Sequence, residues 1–194
     1  MIYMQKELIL ALQKSHLAVI PTDTLYGLVG CALSKRAVEK IYLMKGRTPT
    51  KPLIILISSL ADLSLFGITL DTNTKKLLKE VWPGKVTVIL SVKGKKFAYL
   101  HRETNTLAFR LPDDAKLRAL IRKTGPLVAP SANPEGLSPA ETIAEAQKYF
   151  GDSVLYVDGG KKKGKPSTLV RPIGNGFEIL RQGSVKISKK LLTK

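Results

Sequence analysis

LAVIPTDTLYGL, residues 17–28, opens on an apolar run, Leu17 to Ile20, that is short enough for a buried strand. It empties at once into Pro21 to Leu28, a turn-rich segment carrying Thr22 and Thr24. A strand that delivers polar residues to its end is how open α/β sheets build ligand sites. Hydroxyl residues in an isolated PTDT more often serve as turn caps, so the segment gains meaning only from others like it.

Such segments recur. Upstream, Leu8 and Leu12 mark an amphipathic helix within Met1 to His16. Downstream, Ser34 is placed to cap a helix carrying Ala37, Val38, Ile41 and Leu43 that Gly46 would stop, which puts Lys45 to Arg47 at a helix C-terminus. Leu53 to Ile57 reads as a central strand, Asp71 to Trp82 as a helix, and WPGKVTVIL, residues 82–90, as a turn into a strand. Thr106 to Leu111 is a further strand with Arg110 near its exit, followed by a helix over Ala115 to Lys123. Leu127 to Ala129 then empties into PSANPEG, residues 130–136. Ser138, Pro139 and Glu141 supply a cap, a first-turn proline and a capping-box acid for a helix ending near Phe150. Val154 to Val157 is a strand, and Thr168 to Arg171 with Phe177 to Arg181 flank a hairpin turn at Gly174 to Gly176. This alternation predicts an α/β fold, a sheet with helices on its faces, in a single domain over residues 1–194.

Thirty-two Lys and Arg against fifteen Asp and Glu give a net charge of +17, which suits polyanionic partners and equally a solvated lysine-rich surface. Cys31 is the only cysteine, so no internal disulfide is possible; its apolar surroundings read as those of a small buried hydrophobe, and a reducing cytoplasm fits. His16 and His101 belong to no recognisable triad and are too few for most metal sites, so no protein-bound metal is expected. The N-terminal stretch lacks a signal-peptide core and no run is long enough to span a bilayer, so no membrane association is expected. Gly159 to Lys165 imitates the start of a phosphate-binding P-loop, but Pro166 replaces the magnesium-holding hydroxyl and has no amide hydrogen. Lys161 to Lys165 is better read as a mobile basic loop, solvated or touching RNA or phosphate.

In order along the chain stand PTDTLYGL, KGR with KPLIILI, WPGKVTVIL, LAFRLPD, APSAN, PSTLV and ILRQGS. This series resembles the YrdC-like family of threonylcarbamoyl-AMP synthases across about residues 17–185. The resemblance implies a twisted mixed sheet flanked by helices, YrdC/RibB-like, with a basic concave face. It implies a nucleotidyltransferase that makes threonylcarbamoyl-adenylate and pyrophosphate from L-threonine, bicarbonate or CO2, and ATP accompanied by Mg2+. The product would pass to a tRNA threonylcarbamoyl transferase for N6-threonylcarbamoyladenosine formation. By the same resemblance Lys45 and Arg47 are catalytic, and Thr22, Thr24, Arg110 and Ser167 bind threonine. Lys45, Arg47, Lys51, Thr106, Ser131, Asn133, Ser138 and Arg181 fall on the ATP side. Physical chemistry agrees, because bringing an anionic carbamate against a polyphosphate needs fixed cations, and Lys45, Arg47, Arg110 and Arg181 could supply them.

The pattern departs at three places. Several relatives read NPLIVH where Lys51 to Leu56 stand here, so Lys51 replaces an asparagine and Leu56 a histidine that contacts threonine. Glu135 replaces a serine after the SAN motif, and the loop to Ser138 is a residue shorter. Leu56 cannot donate a hydrogen bond, which leaves amino-acid recognition partly unassigned. Two other readings stand beside the first: a non-catalytic domain that binds double-stranded RNA or tRNA, and a same-fold enzyme acting on another small carbamoyl substrate.

Overall fold

The computed structural model describes residues 2–193. Helix α1 (Ile2–Gln13) leads into strands β1 (Ala18–Pro21) and β2 (Tyr26–Cys31), then helix α2 (Lys35–Lys45) and strand β3 (Ile54–Leu56). A 3-10 segment at Leu60–Phe66 precedes α3 (Thr72–Val81), β4 (Val86–Ser91), the single-turn α4 (Ala98–His101) and β5 (Thr106–Arg110). The chain continues through α5 (Ala115–Thr124), β6 (Leu127–Val128), α6 (Ile143–Phe150), β7 (Leu155–Tyr156), and the hairpin β8 (Thr168–Ile173) and β9 (Gly176–Arg181). All nine strands form one mixed sheet in the order β7-β1-β2-β6-β3-β5-β4-β8-β9.

Alternation along the strands divides the core between the two faces of this sheet. Val19 and Ile55 join the larger cluster, under α2, α3 and α6, where Ile41, Leu78 and Phe150 pack. Ala18, Ile20 and Leu56 point the other way, into a smaller cluster with Leu8 and Leu12 of α1 and Leu117, Leu120 and Ile121 of α5. Leu56, the position of the missing histidine, is therefore a fully buried packing residue.

The helices α1 and α5 cover only part of that second face. Beyond them Ile54, Ala108 and Ile89 stand side by side, since Ile54 pairs with Ala108 and Ala108 with Ile89 across β3, β5 and β4. All three are half-exposed and form the floor of a cavity. The fold thus leaves a bare apolar floor, and the loops at the strand ends supply its walls.

Several local expectations change. The turn after β1 is only Thr22 to Leu25, because Tyr26 to Cys31 pairs back on β1 from Pro21↔Tyr26 to Ala18↔Val29. Cys31, expected to be buried, is half-exposed at the end of that strand. Helix α6 starts four residues beyond the predicted cap: the Thr142 hydroxyl accepts from Glu145 N at 3.3 Å, and Glu145 reaches back to Glu141 N at 2.8 Å. That pair satisfies the spacing of a capping box, while Ala140 N is bound to Ala132 O and holds residues 138–141 in the loop. Ser138 is exposed, its carbonyl accepting the Tyr149 hydroxyl at 3.1 Å.

Candidate functional site

The cavity encloses about 280 Å³ and draws its walls from six separate segments. The β1–β2 turn gives Thr22 and Thr24, the loop after α2 gives Arg47, and β5 gives Thr106 and Arg110. The loop after β6 gives Ser131, the approach to β8 gives Ser167, and the end of β9 gives Arg181. Three guanidinium groups line it and no carboxylate does. Small-molecule sites commonly hold about 300–1000 Å³, so a nucleotide bound beside an amino acid would extend past the enclosed part.

Each wall is fixed by its own hydrogen bonds. Thr22 Oγ1 donates to Leu25 O at 2.7 Å and accepts from Thr24 N at 3.2 Å, so the turn-capping reading of Thr22 holds, and the same turn presents Thr24. Arg47 donates through Nε to Lys51 O and through Nη2 to Pro52 O, each at 3.0 Å. Arg181 Nη2 donates to Ser167 O at 2.9 Å, and the Ser167 hydroxyl lies 2.7 Å from that of Thr87 in the interior. Burial lowers the Arg181 pKa, and it does the same for Arg110, where the nearby charge of Arg181 adds to the fall and Asp23 opposes it.

Four of the expected residues stand outside the cavity wall. Lys45 is only 3% exposed and donates from Nζ to the carbonyls of Ser131, at 2.6 Å, and Asn133. It is a peg beneath the SAN loop, and its ammonium reaches no open space. Asn133 is buried, its Nδ2 donating to Pro134 O and Leu137 O at 2.8 and 2.7 Å. Lys51 turns to Glu135, whose carboxylate also accepts from the Thr48 amide and hydroxyl. That clasp, with the Lys51 hydrogen bond foremost, draws the Glu135 pKa down to about 2. Ser138 lies on the exposed loop described above.

Burial, with Arg47 adding to it and Glu135 opposing, pushes Lys45 from 10.5 to about 8. A lowered folded-state pKa means that the unfolded chain holds this proton more tightly, so the charged group penalises folding at neutral pH. The penalty recedes as pH rises from about 8 to 10.5. Thermal unfolding measured from pH 7 to 10.5 is therefore expected to show wild type gaining stability relative to Lys45→Met across that window. Parallel profiles for the two proteins would contradict it.

Two structural supports were not legible in advance. Asp23, between the two threonines, accepts from Arg110 Nη2 at 2.9 Å, both side chains being 4% exposed. Tyr26 ties down the start of the lysine-rich loop: its hydroxyl donates to Gly160 O at 2.7 Å and accepts from Gly159 N at 2.8 Å. An acid set among hydroxyls in a turn was the one signal that could have singled out Asp23. The lysines at 161, 163 and 165 are exposed, and Gly164 passes close to Thr24 O, which lays this loop along the cavity rim. Among the described residues no helix is long and apolar enough to cross a membrane, and no three His, Cys, Asp or Glu side chains gather as metal ligands would.

Residues 10–183 match the Sua5–YciO–YrdC family model, described as telomere recombination. A threonylcarbamoyl-AMP synthase of Bacillus subtilis is 36% identical over 179 residues, 90% of this chain and 51% of that protein. One of Chromohalobacter salexigens is 33% identical over 175 residues, covering 89% of this chain and 93% of the relative. The crystal structure of Pyrococcus abyssi Sua5 complexed with L-threonine superposes with a TM-score of 0.81 at 28% identity, over 92% of this chain and 54% of that one. The chain thus spans about half the length of the Bacillus and Pyrococcus proteins.

Proposed function

The chain belongs to the Sua5–YciO–YrdC family, and from that premise we propose that it is a threonylcarbamoyl-AMP synthase acting in tRNA modification in the cytoplasm. The observation that carries the reading is the convergence of Arg47, Arg110 and Arg181, far apart in sequence, on one cavity that has hydroxyl groups and no carboxylate in its wall.

Threonine's neutral amine adds to CO2 and gives up one N–H proton to solvent, leaving a carbamate. One carbamate oxygen then forms a bond to the α-phosphorus of ATP as the bond to pyrophosphate breaks. Both reactants are anions, so the barrier is electrostatic and geometric, and pre-set guanidinium groups lower it without a protein nucleophile. Arg110, Thr24 and Ser167 would hold the amino acid. Arg47 has Nε and Nη2 engaged by backbone carbonyls, which leaves Nη1 for a phosphate oxygen, and Arg181 lines the same cavity from the end of β9. Thr106 and Ser131 would meet the nucleotide, while Lys45 and Asn133 would shape the loop that presents Ser131. The wall offers donors for phosphate rather than carboxylates for a metal, so Mg2+ would be carried by the nucleotide. The product would pass to a transferase acting on tRNA.

The test is pyrophosphate release from ATP, Mg2+ and bicarbonate with each amino acid in turn. Threonine alone is expected to stimulate release. Stimulation only by a different carbamoyl acceptor would replace the substrate, and salt-sensitive RNA binding with no release under any condition would replace the enzyme by a binding domain.

A further inference from the structure

Arg110 lies at the end of β5 and Asp23 in the β1–β2 turn, and in the sheet β2 and β5 are separated by β6 and β3. Their ion pair therefore ties the β1–β2 turn to the end of β5. It is nearly shut off from solvent, and it is unevenly satisfied: Arg110 Nη2 meets Asp23 Oδ1, while Asp23 Oδ2 and Arg110 Nε are shielded and without partners. Arg110 Nη1 makes no hydrogen bond among the described residues and is absent from the shielded atoms, so it is the one edge of the guanidinium open to the cavity.

A guanidinium on a long side chain needs a fixed orientation before it can receive a planar carboxylate, and a lone surface arginine has none. Here a single carboxylate supplies it. The same Asp23 sits between Thr22 and Thr24, both of which line the cavity, whereas Asp23 itself does not. One residue thus sets the distance between the hydroxyl wall and the guanidinium wall.

Resting on the function proposed above, we infer that Asp23 is a positioning residue for amino-acid recognition: it orients Arg110 toward the substrate carboxylate and holds the threonine-bearing turn opposite it. Asp23 also offsets one of the three positive charges around the cavity, so the site attracts anions without presenting a bare guanidinium cluster. Its influence belongs on the amino-acid side, because the two nucleotide-side guanidinium groups are anchored separately, Arg47 by the carbonyls of residues 51 and 52 and Arg181 by that of Ser167.

The test compares wild type, Asp23→Asn and Arg110→Lys. Asp23→Asn keeps the shape of the side chain and removes its charge. It is expected to lower kcat/KM for threonine on the order of a hundredfold, the effect of misplacing a reacting group by about 1 Å, with the KM for ATP within about twofold of wild type. Arg110→Lys keeps the charge and loses the planar fork, and it is expected to show the same split between the two substrates. An Nε–H resonance of Arg110 held in slow exchange in the wild-type protein, and averaged in Asp23→Asn, would report the orientation directly, with no substrate present. Equal losses for threonine and ATP, or an Arg110 resonance unchanged by the substitution, would overturn the inference. A wild-type protein that releases no pyrophosphate with any amino acid would instead sink the proposed activity, while the resonance would still decide the role of Asp23. If Asp23→Asn melts too early to assay, Asp23→Glu keeps the charge and displaces it, and the same substrate split and resonance are read there.

Discussion

Arg47→Ala is expected to lower threonine-dependent pyrophosphate release about 100- to 1000-fold, the range found when one fixed donor is removed from a developing negative charge. The expectation rests on placement. Arg47 is the cavity cation nearest in sequence to the end of α2, and two carbonyls hold its guanidinium so that its free edge needs no reorganisation as charge builds on phosphate. The loss should fall on kcat, because an interaction that strengthens in the transition state acts there. Arg47→Lys should recover little, since an ammonium cannot keep both carbonyl contacts and still present a third donor in the same plane. Folding should lose little, because the contact with Lys51 O is exposed and that carbonyl keeps the Tyr42 hydroxyl as a donor. Steady-state kinetics with a melting curve for each variant checks the expectation; near-wild-type kcat in Arg47→Ala would remove Arg47 from the chemistry.

Gly183→Ala should act through the fold instead. A methyl at this position would stand against the Pro166 carbonyl oxygen and 2.5 Å from that of Ser167, and both obstacles are backbone. The neighbourhood is tightly bound: Gly183 N donates to the Thr168 hydroxyl at 3.1 Å, and Ser184 N to Pro166 O at 2.8 Å. No side chain can rotate away, so the two strand ends must part. Over-packing at the upper end of its range, about 3 kcal/mol, corresponds to a fall in Tm of roughly 6–12 °C in a protein of this size. Parting them also releases Ser167 O from Arg181, so activity should drop even at temperatures where the protein stays folded. A variant that melts within a degree or two of wild type would show that the loop yields more easily than this packing allows.

How much of this was legible depended on how local the cause was. The ends of α2 were readable because each rests on one residue: the Ser34 hydroxyl accepts from Ala37 N at 3.2 Å, and Gly46 takes the left-handed conformation at φ 55° that favours glycine. The β8–β9 hairpin was readable for the same reason, with Gly174 at φ 54°. Strand β2 was not, because Tyr26-Gly-Leu-Val-Gly-Cys31 carries two glycines that resemble loop. Gly30 is there for closeness instead: a methyl would lie 2.7 Å from Leu17 and 3.2 Å from Ala37 of α2. At the site, residue types pointed to segments that line the cavity but could not say which cations face open space. Lys45 is held by carbonyls 86 and 88 positions away, and Arg110 by an acid 87 positions away. Those partners depend on strand order and register, which periodicity alone does not specify.

The contact between Lys51 and Glu135 gives two of the family departures a common origin. Each residue departs from what several relatives carry, yet each is the other's counterion, and the Thr48 amide and hydroxyl complete the bond. The segments around residues 48–51 and 131–138 therefore form a matched lock and key. Anyone grafting loops between this chain and a relative would have to move both halves together, since either one alone would bring an unanswered charge to the doorway beside Arg47.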